Sequence, residues 1–432
     1  MSHFMRIKHG KIAKYLNYSE HVHIWCCFMI FSLSWRTIAR RVHLYLGISI
    51  GALLTLIALS GSILVYYPEL DGELNKLSVH SSNTINWDEA YATLKYKYPD
   101  RLGSWRLENT ATGSVIPARY YKPIETKGQA FAPLMVWLNP IGTQIIRDDF
   151  WGNYFVTWVY NLHFSLLTGS TGTLIVGYIG IGTLILILSG LWAWWPKRGY
   201  WARSLKFKAR STKLGLLYDW HKFIGLCFIL PLLVLTITGI MLAIPNQTDP
   251  IITALLGKIE KPTTTVIKPK NYILLSDAIK LAQKAMPSAR LAWIETPSSS
   301  NAVYRFRLQT TNDPSHRFPH SYVEINANSA EIISVFNVDN KSPATKVKNW
   351  LHPIHDGTIG NHPLRVLWVL SGIANALLFC LGLYRWLLKT RRINNFKNYR
   401  LVLLKLNWFI SHNDQNISFH FYYSLVICFY YY

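Results

Sequence analysis

The sequence predicts an α-helical membrane protein with four core transmembrane helices in two tandem repeats, each repeat carrying an inserted α+β module outside the cytoplasm. Three observations carry that expectation. Long apolar runs without Asp, Glu, Lys or Arg recur along the chain. Basic residues crowd the ends of those runs, so that 45 Lys and Arg against 22 Asp and Glu give a net charge of +23. An excess of that sign suits nucleic acid as well, but its placement beside apolar runs points to membrane topology and to lipid as the partner, with no nucleic acid. Finally, His43–Pro68 (HLYLGISIGALLTLIALSGSILVYYP) is echoed by His221–Pro245 (HKFIGLCFILPLLVLTITGIMLAIP), each with glycine four and eighteen positions after its histidine.

The elements follow in chain order. Residues 1–35 form an N-terminal extension whose apolar stretch, Ile24 to Trp35, is too short to span. Its histidines, His3, His9, His21 and His23, have no ligand spacing. Residues 36–68 hold the first transmembrane helix. Arg36, Arg40 and Arg41 precede a charge-free run from Val42 to Pro68, long enough for a hydrocarbon core of about 30 Å, and they place the N-terminus inside. Residues 69–149 form the first module, with a helix from Trp87 to Tyr98 before Pro99, a strand in SVIPARYY and a hairpin in PLMVWLNPIGTQII.

Residues 150–196 are uncharged and would make a helix of about 70 Å, too long for one crossing, so they divide into an interfacial helix, Phe155 to Leu167, and a span, Thr173 to Trp195. Residues 197–217 form a basic cytoplasmic loop containing Lys197, Arg198, Arg203, Lys206, Lys208, Arg210 and Lys213. Residues 218–245 hold the third span. Residues 246–349 form the second module, with Ser276-Asp277 capping a helix that ends before Pro287, and strands in RLAWIET, AVYRFRLQT, HSYVEINA and AEIISVFNV. Residues 350–390 contain a histidine-rich turn and the fourth span, Val366 to Tyr384, followed by Arg385, Lys389, Arg391 and Arg392. The tail, 391–432, has no assignable role. The five cysteines, Cys26, Cys27, Cys227, Cys380 and Cys428, lie outside both modules, so all are expected free.

The chemistry-bearing residues are histidines. Eighteen residues at about 100° each make five turns, which sets His43, Gly47 and Gly61 on one helix face, and His221, Gly225 and Gly239 on another. An imidazole with small residues beyond it can accept a flat group, namely haem; the lack of CxxCH argues against c-type attachment, and haem b is expected. The opposing reading is interfacial histidines beside close-packing glycines. At the other membrane face His163 and His352 each follow a leucine, which suggests two haems, each held by two histidines: His43 with His221, and His163 with His352. His355 and His362 add to His352 to make a candidate metal site for a ferric substrate; a polar turn explains them equally well. No nucleotide or flavin fingerprint occurs, so a separate cytoplasmic or quinol donor is required.

The motifs HLYLG, LHFSLLTGSTG with LSGLWAWWPKR, WHKFIG with LTITGIMLAIP, and NWLHPIHDG resemble the PepSY-associated transmembrane family over residues 36–392. That resemblance implies PepSY-like periplasmic modules, a multi-pass bacterial inner-membrane location and, in the reductase members, haem-dependent electron transfer to ferric siderophores. Two further readings stay open: a non-redox protein that binds peptides or modulates a protease, and a siderophore permease.

Overall fold

Each spanning segment folds as one long helix, because a chain in lipid must satisfy its backbone within itself. In this computed structural model, which describes residues 34–75, 85–110, 115–263 and 265–413, four helices are long and apolar enough to cross a membrane: Trp35–Leu64, Gly169–Trp194, Lys213–Ala243 and Thr358–Arg392. The expected role-free tail beyond 413 and nearly all of the N-terminal extension lie outside the described residues, as do Cys26, Cys27 and Cys428. Cys227 and Cys380 are free and exposed.

In chain order the helices are α1 (Trp35–Leu64), α2 (Tyr67–Leu74), α3 (Trp87–Lys97), α4 (Phe155–Ser165), α5 (Gly169–Trp194), α6 (Trp201–Leu205), α7 (Lys213–Ala243), α8 (Pro245–Leu256), α9 (Leu275–Ala285), α10 (Pro343–His355) and α11 (Asn361–Asn413). The interfacial helix and the second span are separated by a reversal at Leu166, Leu167 and Gly169, whose φ angles are 48°, 62° and 65°. Asn86 caps α3 by accepting from the Glu89 backbone N–H. The cap expected from Ser276-Asp277 is not formed: α9 begins at Leu275, and its N-cap, Leu274, makes no side-chain bond.

The strands are β1 (Trp105–Glu108), β2 (Ile116–Tyr120), β3 (Leu134–Leu138), β4 (Ile145–Phe150), β5 (Arg290–Glu295), β6 (Val303–Gln309), β7 (Ser321–Asn326) and β8 (Ile332–Phe336). They form one antiparallel sheet in the order β4-β3-β2-β1-β5-β6-β7-β8. The strands expected in two separate modules are therefore joined, through the β1–β5 ladder that sets Leu107 opposite Ile294. One sheet face buries Trp105, Leu107, Val136, Ile294, Phe306 and Val323 against α3 and α9. The period-2 alternation of the strands sends Arg106, Glu108, Arg119, Trp293, Arg305 and Arg307 to the other.

The chain divides into a larger unit within Met1–Leu205 and Ile224–Phe379 and a smaller one within Lys206–Phe223 and Cys380–Tyr432. In the larger unit α1 packs along α5. It also meets α11, where the Ser62 hydroxyl donates to Val369 O at 3.1 Å and the Phe379 ring fills the space over Gly51. Arg365, at the start of the fourth span, donates to Val65 O and to both oxygens of Glu69, satisfying a carbonyl at the end of the first. In the smaller unit the buried Asp219 carboxylate lies 3.6 Å from Arg210, and the Lys222 ammonium donates to Lys206 O, so the basic loop folds back on the first turns of α7.

Candidate cofactor-binding site

Four histidines each lie against a glycine of a neighbouring helix. A Cβ built on Gly61 would come within 2.8 Å of His163 Cε1, one on Gly190 within 2.7 Å of His43 Cε1, one on Gly239 within 3.1 Å of His355 Cε1, and one on Gly382 within 3.4 Å of His221 Cε1. The physical reason lies four residues back. A helical side chain leans over the turn N-terminal to its own Cα, so a glycine uncovers the carbonyl of residue i−4. That oxygen already accepts from the glycine N–H, and its second lone pair becomes available to a side chain. His163 Nδ1 lies 2.8 Å from Ile57 O, four residues before Gly61. His43 Nδ1 lies 2.9 Å from Leu186 O, four before Gly190. His355 Nδ1 lies 2.9 Å from the Thr238 hydroxyl, which itself donates to Val234 O and so accepts from the ring. A carbonyl can only accept, so the proton sits on Nδ1, and in a neutral ring Nε2 is left with its lone pair.

Two of these rings lie close together. The centroids of His163 and His355 are 6.1 Å apart, with their planes at 40°. Two imidazoles bound through nitrogen to opposite sides of one metal have ring centres about 6 Å apart, given bonds of about 2.0 Å and roughly 1 Å more to each centre. Burial lowers the pKa of both, and pushes His355 down to about 3, so both rings are neutral at pH 7, the form that ligates. Spacing, tautomer and charge state suit these two residues to hold an iron porphyrin, which would supply a one-electron centre.

His355 is the histidine that lies beside His163, whereas the Leu-His turns led to His352 as its expected partner. The two residues lie one above the other on α10, about 4.5 Å apart along its axis, and only His355 reaches the gap opened at Gly239. His352 instead tilts against Phe318 at 5.5 Å and points Nδ1 towards Asp356 Oδ2 at 3.7 Å. His362, expected with His355 at a ferric site, meets the Tyr66 hydroxyl through Nδ1 at 2.9 Å. Among the described residues, no cluster of three or more His, Cys, Asp or Glu side chains could hold a metal ion. His43 belongs to the larger unit and His221 to the smaller.

Sequence reasoning missed the contact glycines Gly190 and Gly382, and Thr238. A signal was present. Gly190 follows His163 by 27 positions, and Gly382 follows His355 by the same 27, whereas His352 breaks that register.

Residues 40–389 match the PepSY-associated TM region. The chain belongs to this family. No curated protein matches it. The PepSY-associated TM match begins just before His43 and extends past Gly382, so all four histidine–glycine contacts lie inside it.

Beside the His163–His355 pair, this PepSY-associated TM protein carries a layer of arginines and aromatic rings. Arg317 donates to Glu108 through Nε at 3.0 Å and Nη2 at 3.3 Å, and its guanidinium lies 4.5 Å over the Tyr67 ring. Arg119 lies 3.6 Å from the same carboxylate and 4.6 Å over Trp293. Trp293 stacks on Phe318 at 5.8 Å and 13°, and Phe318 meets His352. Burial pushes Glu108 up to about 7 despite Arg119 and Arg290 nearby, and pushes Arg317 down to about 10.

Proposed function

We propose that this protein conducts electrons across a bacterial inner membrane to a ferric siderophore or similar chelate, through haem b. The observation that carries the proposal is the 6.1 Å spacing of His163 and His355, with both Nδ1 atoms already bonded. His163 and His355 hold one haem. His43, whose Nδ1 is fixed by Leu186 O in the same manner, and His221, which lies against Gly382, are each suited to ligate haem iron as well. A haem supplies a one-electron centre that a buried polypeptide otherwise lacks. The chain's own residues fix each ring: Ile57 O and the Thr238 hydroxyl keep the proton on Nδ1, and Gly61 and Gly239 let the imidazoles approach the helices edge-on.

The four contacts recur at matching positions, which supports two tandem copies of one unit: span, module, interfacial helix, span. The seven basic residues of the 197–213 loop support a cytoplasmic loop and periplasmic PepSY-like modules. The electron enters from a separate cytoplasmic or quinol donor and leaves to Fe(III), which becomes Fe(II). Hard oxygen ligands hold Fe(II) less firmly, so the iron is released.

The test is the absorption spectrum of the purified protein, oxidised and reduced, in wild type and in single His→Ala variants. The expected result is two low-spin haems, with His163→Ala and His355→Ala each removing the same one and His352→Ala removing neither. A haem-free wild type, or four ligand variants with unchanged spectra, overturns the proposal and restores the non-redox reading of peptide binding or protease modulation.

A further inference from the structure

We infer that the sheet face turned away from α3 and α9 is the docking surface for the ferric chelate, and that the chelate it selects is an anion coordinating iron through catecholate or carboxylate oxygens. The inference rests on the proposed reduction of a ferric chelate and adds the charge class of the substrate and its place of contact.

Charge is the first observation. Over the middle of the sheet this face carries six arginines (Arg106, Arg119, Arg290, Arg305, Arg307 and Arg317) against three carboxylates, Glu108, Glu295 and Glu324. The carboxylates are spent inside the protein. Glu324 is fully buried and accepts from Arg305; Glu108 is shared by Arg119 and Arg317; Glu295 accepts from Arg106 at 3.0 Å. Arg307 has no carboxylate within ion-pair reach among the described residues and lies over the Tyr322 ring at 5.1 Å. Arg290 is held by neutral oxygens, donating to Gln309 Oε1 at 3.0 Å and to His316 O. The patch is thus left with a positive excess, and part of it reaches solvent: the side chains of Arg106, Arg305 and Arg317 are 29%, 21% and 26% exposed.

The second observation is the kind of cation. Guanidinium groups fork onto paired oxygens, which is the geometry of a carboxylate or a catecholate. Several are pre-oriented by stacking: Arg106 lies 4.4 Å over Tyr121, Arg119 over Trp293, and Arg317 over Tyr67. Rings held in this way lose little freedom when a ligand arrives.

The third is continuity with the histidine pair. Trp293 pairs with Arg307 across β5 and β6, stacks on Phe318, and Phe318 touches His352, one turn before His355. A ligand on Arg307 therefore sits across the β5–β6 ladder from Trp293, where a run of ring contacts begins that reaches the helix bearing His355. His352 takes part as a contact on the substrate side of the pair.

The experiment uses the full-length, haem-loaded protein in detergent and two redox-inert probes, gallium(III) tris-catecholate, charge 3−, and neutral gallium(III) tris-acetohydroxamate. Binding is read by calorimetry, so it is independent of electron transfer. The anionic probe is expected to bind about tenfold or more tightly than the neutral one, with an advantage that shrinks as salt rises. Arg307→Gln is expected to cut that preference severalfold and Arg307→Lys to retain most of it, with an unchanged haem spectrum confirming the fold. Equal binding of the two probes, a preference unchanged in Arg307→Gln, or equally tight binding of metal-free phosphate overturns the inference. The proposed function is read separately, by whether wild type reduces the neutral ferric hydroxamate at all.

Discussion

His163 and His355 lie close together, yet the two halves of the chain hold them differently. His163 leans on a backbone carbonyl, Ile57 O, at a place where a Cβ on Gly61 would come within 2.8 Å of the ring. His355 leans on a side chain, Thr238, with the Leu235 carbonyl also in reach, at a place where a Cβ on Gly239 would reach only 3.1 Å. The carbonyl anchors are written into helix geometry and cannot be removed by substitution. The hydroxyl can. The requirement common to both is a glycine that clears room for an imidazole edge, and the identity of the acceptor is secondary.

The largest effect expected from this contrast is at the tighter contact. Gly61→Ala should lower occupancy of the haem proposed at His163 and His355 by about tenfold or more, because the ring must shift to relieve a contact with a rigid helix, whereas Gly239→Ala should retain a substantial fraction. Haem-to-protein stoichiometry decides it, and equal retention in both variants would break the contrast. Next in size is Thr238→Val. Removing the acceptor makes the His355 imidazole a poorer donor to iron, so haem affinity should fall about tenfold and the midpoint potential of that haem should rise, with Thr238→Ser restoring both. An unmoved potential would show that the hydroxyl does not tune the ring.

The smallest effect concerns a histidine kept neutral without a glycine. Burial, reinforced by Arg307, pushes His320 down to about 4. Its pKa is lower in the folded than in the unfolded chain, so between about pH 6.5 and pH 4 the unfolded state binds the extra proton. Stability is present above that window and is lost as pH falls through it. Melting curves in detergent at pH 7, 5.5 and 4.5 should show a fall of a few degrees that is flattened in His320→Gln. An equal fall in the variant would assign the acid sensitivity elsewhere.

The spans were legible because a charge-free run of 20 or more residues has few alternatives to crossing a bilayer. The glycines eighteen places after His43 and His221 were legible as a face, though not as the partners of other histidines. The place of His355 beside His163 was not legible because NWLHPIHDG offers two histidines one helical turn apart, and the match on the preceding leucine selected His352. Trp105–Glu108 escaped notice because four residues, two of them charged, give no clear alternation. Its pairing with β5 joins segments 185 to 189 positions apart, and nothing local in either strand encodes it.

That pairing also bears on how the protein is made. When the first four strands have been synthesised, β1 is still an edge, with a row of unmatched amide and carbonyl groups, and its neighbour will not exist until two more apolar helices and the start of the second sheet half have left the ribosome. An edge in that state invites pairing with another nascent chain. Arg106 and Glu108 are two charges in a strand of four residues; they discourage a stranger in the interval and become ordinary ladder partners of Glu295 and Trp293 once β5 arrives. Completion of the sheet is therefore late, slow by its long loop closure, and a natural checkpoint for quality control of the whole polypeptide.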